Sequence, residues 1–295
     1  MLNNTLIQKI NYPEAEIQGI SVSILRLDHL HPVVSGNKLF KLRYYLAAAI
    51  KEKKQITTFG GPYSNHLVAT AYAAQQAGLA STGFVRGAKP KELSDSLKDC
   101  MDYGMELKFV SYSDYQQLQI PNTVVHNEET IVIPYGGYGQ LGVKGAKEIL
   151  DINDTASYDL IIASVGSGTM GAGLLAALKE HQQLLLFSAV KNNFSIEAEI
   201  KALLSGYVYK ETSLDINHDY HFGGFAKTDQ LLFDYMNELY EATSIPTDIV
   251  YTGKLMYGIN DMLLKRKFRS GSKILVIHSG GLQGNRSLKN NQLIF

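Results

Sequence analysis

The chain of 295 residues is long enough for two domains or one large α/β unit with a substantial core. Lys plus Arg balances Asp plus Glu at 28 each, so no charge excess argues for nucleic acid or an anionic membrane as a partner. The single cysteine, Cys100, excludes an internal disulfide and points to a reducing compartment. Segment 1–7 lacks a basic stretch followed by an apolar run, and no apolar stretch is long enough to span a bilayer. The expectation is a soluble, cytoplasmic protein. In chain order, the first apolar run, 22–27, reads as a strand and 38–51 as an amphipathic helix. Then follow strand 55–59, helix 65–76, strand 82–85, helix 91–103, strand 106–110, strand 131–133 and helix 143–150. The last stretch reads as strand 160–164, helix 170–180, strand 184–189, helices 196–203, 228–243 and 254–266, and strand 273–277. This alternation implies parallel sheets wrapped by helices, with the Ile-, Val- and Leu-rich strands buried on both faces. Cys100 falls inside a helical pattern and reads as a small buried hydrophobe rather than a nucleophile. No metal-ligating cluster is assigned.

Five segments carry chemistry. The first is Gly36-Asn37-Lys38-Leu39-Phe40-Lys41, at a helix start. Lys38 and Lys41 are three apart and share a helix face. An amine attacks a carbonyl only when neutral, so a reactive lysine needs burial or a cationic neighbour, and Lys41 and Arg43 are near in sequence. The alternative is a solvated basic turn, although cations fit poorly at the positive end of a helix unless an anion is present. The second segment, Gly60-Gly61-Pro62-Tyr63-Ser64-Asn65-His66, joins a strand to a helix. Ser64 and Asn65 are good helix caps, yet they also lie where α/β enzymes bind ligands. His66 reads as a core or surface histidine.

The third segment is the turn Gly166-Ser167-Gly168-Thr169-Met170-Gly171, between a strand and a helix. Backbone N–H groups and hydroxyls there suit a phosphate. Its glycines also fit a dinucleotide fingerprint, but the next strand ends Ser188-Ala189-Val190-Lys191 and offers no carboxylate for a ribose. A purely structural turn is the remaining alternative. The fourth is Asp248-Ile249-Val250-Tyr251-Thr252-Gly253-Lys254, whose tyrosine is placed to stack on a ring or to act as acid or base. The fifth, His278-Ser279-Gly280-Gly281, ends a strand with a small hydroxyl, and His278 is open to a core reading. An amine nucleophile together with a phosphate cradle is the combination that holds pyridoxal 5'-phosphate as a Schiff base.

Taken in order, and with Ile133-Pro134-Tyr135-Gly136-Gly137 added, these segments resemble the family of 1-aminocyclopropane-1-carboxylate deaminases and D-cysteine desulfhydrases. The resemblance covers nearly the whole chain. It implies fold type II of the pyridoxal-phosphate enzymes, the tryptophan-synthase-β type, with two open, mostly parallel sheets wrapped by helices. Residues 1–43 and 146–295 would form the larger, cofactor-binding domain and 44–145 a smaller inserted α/β domain. By resemblance, Lys38 carries the cofactor and Lys41 lies near its phosphate. Ser64 faces the substrate carboxylate, Asn65 the phenolic oxygen, and Tyr251 lies beside the ring as an acid–base group. Gly166, Ser167, Gly168 and Thr169 would bind phosphate, although Met170 stands where the family pattern expects threonine.

Ring-opening members resemble one another in carrying Glu after the Tyr and Leu after the His. This chain has Thr252 and Ser279 there, nearer the Thr–Thr pair of the desulfhydrases. Neutral hydroxyls at the pyridine nitrogen imply a weaker electron sink, which suffices when the substrate brings its own leaving group. The expectation is a lyase that performs β-elimination on a small amino acid, giving a keto acid and ammonia. Lys38, or Tyr251 with Ser64, would remove the α-proton. The alternatives are the cyclopropane deaminase activity and a non-catalytic homologue that binds the cofactor. A homodimer is implied by the resemblance.

Overall fold

The computed structural model describes residues 6–119, 127–288 and 292–295. The expectation about segment 1–7 falls, for residues 1–5, outside the described residues. The elements are β1 (Ile7–Ile10), α1 (Pro13–Ile17), β2 (Ser21–Arg26), α2 (Asn37–Glu52), β3 (Gln55–Gly60), α3 (Asn65–Gln76), β4 (Ser81–Arg86) and α4 (Asp95–Asp102). They continue with β5 (Met105–Val110), α5 (Tyr112–Leu118), β6 (Thr130–Ile133), α6 (Gln140–Lys147), β7 (Leu160–Val165) and α7 (Thr169–Ala177). The last are β8 (Gln183–Ser188), α8 (Ile196–Leu203), β9 (Leu214–Asn217), α9 (Gln230–Thr243), α10 (Thr252–Leu264) and β10 (Lys273–His278).

Two sheets result. One has the order β1-β2-β10-β7-β8-β9, and the other β5-β4-β3-β6. Every pairing is parallel except β1 with β2. This is the α/β architecture with two mostly parallel sheets that the alternation of elements implies. In the larger sheet the strand side chains alternate between two cores. Leu275 and Ile277 of β10 face a core shared with α6, α7 and α8. Ile274 and Val276 face the opposite core, shared with α1, α9 and α10.

The differences from the sequence reading have local causes. β1 and β9 are four-residue edge strands carrying Lys9 and Asp215, so neither shows an apolar run. The helix expected over 91–103 begins at Asp95 because the Ser94 hydroxyl accepts the Leu97 N–H at 3.3 Å and caps it there. The helix expected over 143–150 begins at Gln140 and tightens into a 3₁₀ turn over Glu148–Asp151.

Helix α2 spans both halves. Its Phe40 lies in the core of the larger sheet with Val143 and Ala146 of α6. Its Leu42, Tyr45 and Ala49 lie in the core of the smaller sheet with Ile56 and Ile133. The carboxyl ends of β3, β7 and β10 and the first turn of α2 therefore open on one cavity, where ligands bind in open α/β sheets.

Candidate active site

The first turn of α2 is fastened to the end of β10. The Asn37 N–H donates to the Ser279 carbonyl at 3.0 Å. Gly36 has φ +65°, and a Cβ there would lie 1.8 Å from that same oxygen, so only glycine fits. This contact carries Lys38 into a cavity of about 430 Å³. Its Nζ donates to Asn37 Oδ1 at 2.7 Å, and Asn37 Nδ2 donates in turn to Met170 Sδ at 3.3 Å. Burial lowers the Lys38 amine to about 8, and the Asp248 carboxylate opposes this in part.

Lys41, buried on the same face, donates to the Gly136 carbonyl at 3.3 Å. Burial first, and the charge of Lys38 second, push it well below the usual lysine range. Neither amine has an ion-pair partner among the described residues. Arg43, a candidate neighbour by sequence, points away and pairs with Glu148. Burial, not Arg43, is what acts on Lys38.

Ser64 and Asn65 reach the cavity wall at the start of α3, and the Ser64 hydroxyl accepts the Leu67 N–H at 3.3 Å. His66 lines the wall as well. Its Nε2 donates to Thr58 Oγ1 at 2.8 Å, whose own proton goes to the Ile133 carbonyl at 2.8 Å. That order fixes the tautomer and leaves Nδ1 a buried acceptor without a partner among the described residues. Burial, then the charges of Lys38 and Lys41, hold the ring well below the normal histidine range.

Opposite lie Gly166, Ser167 and Gly168, with φ +76° at Gly168 as the cap of α7. Met170 also lines the wall. Thr169 is fully buried and is not on it; its hydroxyl meets Ser167 Oγ at 3.3 Å instead. The turn's polar donors are thus its backbone N–H groups and Ser167. Gly166 is where Tyr251 approaches: a Cβ there would meet the phenolic oxygen at 2.9 Å. Burial raises the Tyr251 hydroxyl well above 10, with further contributions from Tyr135 and Asp248, so it stays protonated.

Ser279 also lines the cavity, but Thr252 does not. The Thr252 hydroxyl donates to Asp248 Oδ1 at 3.1 Å and accepts the Asp248 N–H at 2.7 Å. Asp248 lies on the wall in its place. Its carboxylate accepts N–H bonds from Val250 at 3.1 Å, Tyr251 at 2.8 Å and Thr252 at 3.0 Å. Burial raises it from the carboxylate range against those bonds.

His278 lies behind the site, fully buried, with Nε2 on the Pro246 carbonyl at 2.8 Å and Nδ1 3.1 Å from Asp28. Cys100 is buried, and burial lifts its thiol to about 12, so it is inert at neutral pH. Asp248, Arg86 and Phe225 are wall residues that sequence reasoning did not single out. Asp248 heads the fourth segment of the sequence reading, where only the tyrosine drew a role; in the fold its carboxylate gathers the N–H groups of its own loop ahead of α10.

These residues suit pyridoxal phosphate. Two buried amines with no ion-pair partner among the described residues and a glycine turn at a helix start match an aldehyde-bearing phosphate ester, and Tyr251 supplies a wall for a ring. Comparison with known proteins agrees. A Thermotoga maritima protein carrying the provisional name 1-aminocyclopropane-1-carboxylate deaminase is 31% identical, over 92% of this chain and 91% of its own. The Arabidopsis thaliana bifunctional D-cysteine desulfhydrase/1-aminocyclopropane-1-carboxylate deaminase is 30% identical over 90% of this chain and 73% of its own. The crystal structure of an ACC deaminase homologue superposes with a TM-score of 0.82 at 26% identity, covering 96% of this chain and 90% of that one. The model of the pyridoxal-phosphate dependent enzymes matches residues 3–280, and the chain belongs to that family.

Proposed function

We propose that the protein is a lyase that eliminates the β-substituent of a small amino acid, in the manner of a D-cysteine desulfhydrase, and releases a keto acid and ammonia. The observation that carries this reading is Lys38: a buried amine lowered to about 8, held by a side-chain amide oxygen and free of any ion pair among the described residues. Pyridoxal phosphate, when bound, supplies a conjugated electron sink for the carbon that loses its proton. Lys38 Nζ is partly neutral near pH 8 and so takes and returns a proton. The Ser64 hydroxyl oxygen already accepts from Leu67, which leaves its proton for a substrate carboxylate beside the α3 amides. Arg86, its guanidinium 5.0 Å from the Tyr112 ring centre, lies at the cavity mouth and attracts that carboxylate. Tyr251 donates a hydrogen bond without ionising. Lys41 and the 166–168 turn hold the phosphate.

A second reading has its own observation. Asp248 puts a carboxylate on the wall where sequence reasoning expected only hydroxyls, and a stronger sink suits ring opening of 1-aminocyclopropane-1-carboxylate. The Asp248 oxygens are already taken by donors of their own loop, so elimination remains the first reading.

The test is turnover of D-cysteine, L-cysteine, D-serine and the cyclopropane acid by cofactor-loaded protein. Keto acid from a β-substituted substrate supports the proposal. Turnover of the cyclopropane acid alone supports the second reading. Full cofactor loading with no product from any of them identifies a non-catalytic homologue. The two sheets support a division into a larger unit and an inserted one; the proposed bounds, 1–43 with 146–295 against 44–145, fall inside α2 and α6, and Val143 of α6 packs with the larger sheet. A homodimer rests on the resemblance and a cytoplasmic location on the lone cysteine; light scattering tests the assembly. Among the described residues no helix is long and apolar enough to cross a membrane.

A further inference from the structure

Between β9 and α9 the chain makes a turn in which Phe222, Gly223, Gly224 and Ala226 all have positive φ, at 51°, 86°, 126° and 54°. Glycine adopts such angles freely; Phe222 and Ala226 do not, and residues held there persist only where their surroundings over-determine them. Lys254, in the first turn of α10 and 2% exposed, supplies the constraint. Its Nζ donates to the His221 carbonyl at 2.9 Å and to the Gly224 carbonyl at 2.7 Å. On the same helix, the Tyr257 ring packs edge-on against Phe222 with centres 4.9 Å apart.

The turn ends on the cavity. Phe225 and Ala226 line it, and the Phe225 ring stands edge-on to Tyr251 at 6.1 Å, with 46% of the residue exposed. An apolar ring presented to the space beside Tyr251, and fixed from behind by a buried amine, is a built surface rather than a loose loop.

We propose that the 221–226 turn is the wall that selects the substrate's β-substituent, with Phe225 as the contact and Lys254 as the residue that positions it. The proposal rests on the β-elimination reading. An aromatic wall favours soft, weakly hydrated substituents such as thiol, thioether and halide over hydroxyl. Cofactor-loaded wild type, Phe225→Ala, Lys254→Met and Lys254→Arg are compared on cysteine, β-chloroalanine and serine, each in both enantiomers.

Phe225→Ala is expected to raise KM for the thiol and halide about tenfold, with serine changed less than twofold and kcat changed less than KM. Lys254→Met is expected to shift the same ratio in the same direction, and Lys254→Arg, which keeps the donors, to restore it. A thiol-to-serine ratio within twofold of wild type in both Phe225→Ala and Lys254→Met overturns the proposal. Two readouts need no turnover. One is the ratio of dissociation constants for S-methylcysteine and serine, from the visible spectrum of the loaded protein. The other is hydrogen exchange of amides 222–227, expected to quicken at least tenfold in Lys254→Met and nowhere else. If wild type eliminates nothing, the functional reading fails while these two still score the wall; an unchanged binding ratio or unchanged exchange rejects it.

Discussion

The first turns of α2 and α10 each bury a lysine, and burial lowers both amines to about 8. They differ in what surrounds the nitrogen. Lys254 spends its protons on two backbone carbonyls. Lys38 has one side-chain amide oxygen and otherwise faces the cavity. A depressed pKa therefore does not by itself mark a reactive amine; the hydrogen bonds that occupy or spare the nitrogen decide its role.

The sharpest way to break that comparison is to remove each amine in turn. Lys38→Ala is expected to abolish covalent cofactor attachment and to lower turnover about a thousandfold or more. Lys254→Met should retain attachment, as read by visible absorbance and intact mass. Equal losses in the two variants would erase the distinction. Next in size is Gly36→Ala. A methyl group driven into the Ser279 carbonyl, at a left-handed φ, is expected to cost about 2–4 kcal/mol in urea unfolding and to displace Lys38. A cost below about 0.5 kcal/mol would mean that the two turns are not locked together.

The smallest effect is on pH. Unfolded lysines hold their protons up to about 10.4, whereas Lys38 and Lys254 lose theirs near about 8, so between these values the unfolded chain binds more protons. Stability of the cofactor-free protein should rise over that window, by up to about 1 kcal/mol per pH unit for each lysine. The slope should be shallower in Lys254→Met. Above pH 10 the gain reverses, because Tyr12 and Tyr45 stay neutral in the fold up to about 12 while the unfolded tyrosines ionise. A flat profile between 8 and 10 would show that the folded amines keep their protons.

Sequence reading reached the central strands and most of the site because burial on both faces leaves continuous apolar runs, as in β7 and β10, and because glycines mark the turns. It missed β1 and β9, where an edge position admits Lys9 and Asp215. Within the site, Lys38, Lys41, Ser64, Asn65, Gly166, Ser167, Gly168, Tyr251 and Ser279 do meet at one cavity. The directions of Thr169 and Thr252 were not legible. A hydroxyl's identity does not say whether it faces a ligand or closes a bond inside its own turn, as Thr252 does with Asp248. The burial of Lys254 was hidden for a related reason: its partners are carbonyls of a distant turn, and carbonyls leave no residue signature.

The clasp between Gly36 and Ser279 has a consequence for biosynthesis. The turn that seats Lys38 precedes β10, the strand that locks it, along the chain and so leaves the ribosome before it. Until β10 inserts between β2 and β7, residues 36–38 have nothing to close against. A nascent or carboxy-terminally shortened chain would then carry an ordinary, solvated lysine. On the proposed role of Lys38, cofactor capture would follow the insertion of β10, and a chain cut before β10 would fail to load.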